Sequence, residues 1–260
     1  MPNVLEITQG ILLFSLPPML ALPASGPDRK KLWLALWPAI LLPLIGALVY
    51  FVMFPGTVLG RAIYGVDKVL LFFWPFLATR WILGQRLTRE CPARGNLLSS
   101  LVTGTAFGAL AVGLMWFLLN HSAYFGGRIA DGVPMIRQRI ADMGVLEHYL
   151  AFGVFLSLVN SALEEFFWRW FVYGNLRHVT RPALAHLGAA VAFSLHHFVV
   201  LDQFFSSGFA FLLSLCVGCG GLVWSLLYAR YGTVWGSWLS HAMVDIGFLA
   251  LAYPLIFAPV

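Results

Sequence analysis

Along this chain, apolar runs of about 20 residues, the length that crosses a bilayer, follow one another with only short polar breaks between them. They fall near 9–25, 32–55, 66–84, 97–119, 148–176, 183–201, 208–229 and 233–254, the first being short and broken by Pro17 and Pro18. In hydrocarbon every backbone N–H and C=O must be satisfied within the structure, which leaves helices and closed barrels. No strand-like alternation runs through these segments, and no repeat or low-complexity tract interrupts them. The expected fold is all-α, a polytopic transmembrane helical bundle of about eight spans.

Composition removes the competing classes. Hydrophobic residues make up 60% of the 260 and charged residues 10%, against roughly 25% charged in soluble domains. A single membrane domain is expected, with 1–147 supplying N-terminal helices and a long loop, and 148–254 the helices that carry the chemistry. A net charge of +5 would point to nucleic acid in a soluble protein. Here the basic residues sit mainly in the breaks, where they set topology, so no nucleic-acid partner is expected. Arg29, Lys30, Lys31, Arg80, Arg86, Arg89, Arg94, Arg177, Arg181 and Arg230 fall in one alternate set of breaks, and Arg61, Lys68, Arg128, Arg137 and Arg139 in the other. The richer set is expected on the cytoplasmic side, with both termini outside. The start, "MPNVLEITQG", lacks the basic region of a secretory signal, so the first apolar run is expected to be retained. Cys91, Cys216 and Cys219 form no disulfide framework, and "CVGCGG" is expected to be a helix-packing face. The stretch 120–147, with Gly126, Gly127 and Pro134, is expected to be a long loop, either a plain connection or a lid.

Against this background the segment "NSALEEFFWRWF", Asn160 to Phe171, stands out. Of eleven acidic residues, Glu164, Glu165 and Asp245 are expected inside spans, where an ionisable group costs about 2.5 kcal/mol or more and marks function by default. Glu165 and Arg169 stand one turn apart and are expected to pair. Glu164, about 100° round the helix from Glu165, has Trp168 at i+4 and no comparable partner, which makes it the candidate general base. The next span carries His196 and His197, and the last carries His241 and Asp245 on one face. Counted from the basic breaks, Glu164 lies about 18 Å deep, His197 about 21 Å, and His241 and Asp245 about 12 and 18 Å. Such a set could polarise water and hold an oxyanion for amide hydrolysis, bind a catalytic zinc, or relay protons in a transporter. Spacing leaves these open. No HExxH helix, GxSxG elbow or Walker loop accompanies the set.

Three motifs occur in order: Glu164-Glu165-Phe166-Phe167-Trp168-Arg169, Phe193-Ser194-Leu195-His196-His197 and His241-Ala242-Met243-Val244-Asp245. Together with the lead "YARYGTVWGSW", they resemble the Glu-Glu-x-x-x-Arg, Phe-x-x-x-His and His-x-x-x-Asn/Asp signature of the CPBP intramembrane proteases. That family includes the type II CAAX prenyl endopeptidases and Abi-like bacteriocin-processing proteins. The likeness covers roughly residues 150–250. It implies that Glu164 activates water with help from His197, that His241 and Asp245 stabilise the oxyanion, and that Glu165 and Arg169 support the first helix. His196 is left as a packing residue. Trp170 stands where the family often has glycine, so packing there must differ. Asp245 replaces the commoner asparagine and is expected to be protonated or paired with His241.

The resemblance further implies a glutamate-dependent endopeptidase without metal or other cofactor, zinc being the alternative. Its partners are the lipid bilayer and a membrane-associated protein or peptide, cut in C-terminal processing or in removal of a leader or sorting tag. The expected setting is a bacterial cytoplasmic membrane. A non-enzymatic immunity or scaffold protein of the same fold and a proton-coupled transporter are the competing classes.

Overall fold

The computed structural model describes residues 19–20, 28–85, 87–88, 94–142 and 144–257. In chain order its helices are α1 (Arg29–Met53), α2 (Val58–Ile82), α3 (Asn96–His121), α4 (Ala123–Asp142), α5 (Leu146–Leu176), α6 (Pro182–Leu201), α7 (Ser207–Tyr231) and α8 (Trp235–Phe257). All of these but α4, seven in number, are long and apolar enough to cross a membrane. The polytopic helical bundle expected from the apolar runs is the fold observed. The weak first run lies outside the described residues, apart from a two-residue antiparallel contact of Met19–Leu20 with Leu87–Thr88.

Local chemistry sets the helix ends. Asp28 accepts a hydrogen bond from the Lys30 N–H at 2.9 Å and opens α1. Thr57 does the same for the Gly60 N–H at 3.0 Å and opens α2. Pro182 stands in the first turn of α6, where its missing N–H leaves nothing unpaired. Gly232 closes α7 in the left-handed region at φ 66°. Short breaks favour antiparallel neighbours among the spans, while α4 touches the α6–α7 connection through Gly132 and Phe205 and the end of α8 through Arg137 and Leu255.

Two sequence expectations are corrected here. The Thr57 cap starts α2 at Val58, so Asp67 and Lys68, at the edge of the apolar run near 66–84, lie well inside a span: Asp67 is a further acid there, and Lys68 is not a loop residue. The stretch 120–147 is mostly the helix α4 rather than a loop. Its Gly126, Gly127 and Pro134 read locally as breakers, but tertiary contacts override them. Ile140 packs with Tyr149 and Ile256, Gly132 closes on Phe205, and Arg137 Nη2 donates to the Leu255 carbonyl at 2.7 Å.

The main core gathers Leu32, Leu36, Phe167, Phe171, Phe193 and Trp224, from α1, α5, α6 and α7. Outward-facing Leu34, Trp81, Leu110 and Leu184 stay more than half exposed, as lipid-facing side chains do. Lipid supplies no hydrophobic force between helices, so close packing and interhelical hydrogen bonds must hold them. Where α3 meets α8, a Cβ at Gly104 would strike the Gly236 carbonyl, and one at Gly236 would strike the Ser100 backbone. The Gly236 N–H donates to Ser100 Oγ at 3.1 Å across this contact. Gly218 and Gly221 likewise bring α7 onto Ser194 and Phe193 of α6, while Cys216 and Cys219 are exposed.

Gly236→Leu should therefore part α8 from α3 and destabilise the protein by about 3 kcal/mol or more. Gly65→Leu, at a position with open space around it, is the control. Thermal unfolding in detergent checks this, and a Gly236→Leu protein melting with the wild type would refute the close-contact account.

Candidate active site

The site begins in α5, where Ser161–Glu165 is α-helical between two wider π-helical stretches, Phe155–Asn160 and Phe166–Tyr173. Wide turns of this kind recur at functional sites because they re-aim side chains. Here they flank the two glutamates, which point to different surroundings.

Glu165 faces the interior and is fully buried. Its Oε1 lies 3.1 Å from Arg169 Nη1 in an ion pair, so the pairing expected from their spacing is present. The same oxygen accepts a hydrogen bond from His241 Nδ1 of α8 at 2.9 Å. The Arg169 guanidinium, also buried, lies over the rings of Phe193 at 4.7 Å and Trp224 at 4.9 Å. Those contacts add cation–π attraction to the ion pair. Trp224 also stacks on the His241 imidazole, with ring centres 4.2 Å apart, and donates from Nε1 to Ser240 Oγ at 3.0 Å. Trp170, which stands where the family often has glycine, is buried and stacks on Phe166 at 4.6 Å.

Glu164 faces a partly open space. Its side chain is 15% exposed and that of Asp245 is 20% exposed, against 0% for Glu165. His241 turns its second nitrogen, Nε2, toward both: 3.9 Å to Glu164 Oε2 and 3.8 Å to Asp245 Oδ1. Asp245 is thus beside His241, as the i, i+4 spacing required. His197 lies within electrostatic reach of Glu164. Its Nδ1 is 2.8 Å from the Phe193 carbonyl, and since a carbonyl only accepts, Nδ1 carries the proton and Nε2 of the neutral ring can accept. His196 packs beside it, with ring centres 4.1 Å apart, and lies parallel to Trp168.

The structure therefore brings Glu164, Glu165, Arg169, His241 and Asp245 into one cluster, with His197 and His196 on its α6 side. Sequence reasoning missed two neighbours. The Asn160 amide donates from Nδ2 to Glu164 Oε1 at 2.9 Å, so the partner of Glu164 stands at i−4, one turn back, and not at the i+4 position that Trp168 fills. Lys68 of α2 donates from Nζ to Asn160 Oδ1 at 3.2 Å. Among the described residues, no three His, Cys, Asp or Glu side chains meet in a metal-binding arrangement.

Residues 146–247, comprising α5, α6, α7 and the first part of α8, match the family model described as type II CAAX prenyl endopeptidase Rce1-like. The match bears out the resemblance drawn from the three motifs, all of which fall inside it, and the family is one of proteases. No curated protein and no solved structure matches the chain.

Arg169→Met would leave the buried Glu165 carboxylate with only His241 to compensate it, and should destabilise the protein by about 3–5 kcal/mol. Glu165→Gln in that background should recover part of the loss. Both are read as unfolding free energies in mixed micelles. Strictly additive losses would mean the two side chains do not act as a buried pair.

Proposed function

We propose that this multi-pass membrane protein is a glutamate-dependent intramembrane endopeptidase that hydrolyses a peptide bond of a membrane-associated protein or peptide. The observation that carries this reading is the position of His241 Nε2, between Glu164 and Asp245, on a ring fixed from its other side by Glu165.

A water held between Glu164 and His197 loses a proton to the Glu164 carboxylate as its oxygen bonds to the scissile carbonyl carbon. The carbonyl π electrons move onto oxygen, and that oxyanion needs donors aimed at it. His241 Nδ1–H is given to Glu165, so an Nε2–H donor requires protons on both ring nitrogens, and the Glu165 carboxylate compensates the resulting charge. Asp245 donates only as the neutral acid, which is the form this role requires of it. Glu164 then returns the proton to the amide nitrogen as the C–N bond breaks. No metal or other cofactor enters these steps. Leader, C-terminal and sorting-tag processing all fit the substrate class.

Membrane-protein termini should be compared by mass spectrometry in cells producing wild type or Glu164→Gln at equal folded levels. New termini should appear with wild type and fall about 100-fold or more with the variant, the scale of general-base catalysis. Identical termini across growth conditions would instead favour a non-enzymatic scaffold. Activity of the purified protein should persist after dialysis against EDTA; a loss restored by zinc would replace this mechanism with a metal-dependent one.

A further inference from the structure

Lys68 is an ammonium group ten residues into α2, about 15 Å along the helix from Val58. A lysine near a helix end can reach the interface, whereas one this deep needs a partner inside the bundle. Its Nζ lies 5.4 Å from the Tyr64 ring centre, shares a hydrogen bond with the Tyr64 side chain and donates to Asn160 Oδ1. Asn160 passes the interaction on, because its Nδ2 donates to Glu164 Oε1.

We propose that Lys68 is a positioning residue for Glu164, acting through the Asn160 amide to fix which carboxylate oxygen is free to activate water. The proposal rests on Glu164 being the base of a peptidase. An amide has one donating and one accepting end, so only one orientation suits both neighbours. With Oδ1 toward the ammonium and Nδ2 toward the carboxylate, both contacts attract; a flipped amide would meet both with the wrong end. Lys68 therefore locks the amide, the amide occupies Oε1, and Oε2 is left facing His241. The ammonium also offsets the Glu164 charge one residue removed. Asp67 is the rival counter-charge, since it also lies within electrostatic reach of Lys68. It sits about 100° around α2, however, and is packed against Gly46 of α1. Lys68 belongs to α2, outside the residues that match the family model.

Two measurements on the full-length protein test this. The first uses no activity: thermal unfolding of wild type, Lys68→Met, Glu164→Gln and the double variant. Lys68→Met should lower the midpoint, and Glu164→Gln should restore much of the loss by removing the charge left without its counter-ion. Asp67→Asn should not restore it, and Lys68→Arg should behave nearly as wild type. Additive shifts, or restoration by Asp67→Asn instead, overturn the proposal. Should Lys68→Met fail to accumulate, Lys68→Gln takes its place on the same terms, and accumulation regained with Glu164→Gln reads the same coupling.

The second uses the peptide substrate identified from the termini. Lys68→Met and Asn160→Leu should each lower kcat about 10- to 100-fold with KM changed less than about threefold. The double variant should be no worse than either single one. Multiplied losses in kcat, or an effect confined to KM, refute action through Asn160. If Glu164→Gln leaves all termini unchanged while the unfolding coupling is present, the peptidase reading fails and the Lys68–Asn160–Glu164 linkage stands.

Discussion

A carboxylate sealed from both water and lipid, that of Glu165, is the centre on which this bundle depends. A buried charge is tolerated only when it is compensated and hydrogen-bonded. Glu165 gets both from different helices: Arg169 one turn on in α5, and His241 from α8. Arg169 in turn lies over Phe193 of α6 and Trp224 of α7. Four helices therefore meet around one charge, and none can shift far without uncovering it. Polar contacts of this kind replace the hydrophobic force that holds helices together in water.

The same arrangement gives the two sides of His241 different surroundings. His241 uses Nδ1 to join the buried centre and presents Nε2 to the partly open space with Glu164 and Asp245. Neighbouring glutamates thus receive opposite environments, one dry and compensated, the other reachable. The wide turns on either side of Ser161–Glu165 place this division at the middle of the longest span.

Much of this was legible in the sequence. Spans follow from run length, and the Glu165–Arg169 and His241–Asp245 pairs follow from the helical repeat, because each lies within one helix. The hydrogen bond from His241 to Glu165 was not legible, since it joins residues 76 apart in the chain. Asn160 was within reach of the same one-turn logic, applied backward from Glu164 instead of forward. Lys68 was hidden by its place at the edge of an apolar run: two residues into the run near 66–84 it reads as part of the neighbouring break, whereas the helix begins at Val58 and carries it well inside the span. The glycines and proline of α4 misled for the opposite reason. Local propensity read them as a loop, whereas contacts with α8 and Phe205 hold them in a helix.

The division into N-terminal and C-terminal parts is therefore one of roles more than of folding units. The three motifs lie on α5, α6 and α8, yet α8 is seated by the glycine contact with α3, and the buried core is completed by Leu32 and Leu36 of α1. α2 differs from these, since Val66, Val69, Leu70 and Phe73 turn toward lipid. An apolar helix so placed has no need of a cation for its own stability, because the ammonium must be desolvated at a cost that lipid-facing neighbours do not repay. What offsets that cost is the Tyr64 side chain one turn back on α2 and, across the gap, the Asn160 side-chain carbonyl and the glutamate behind it.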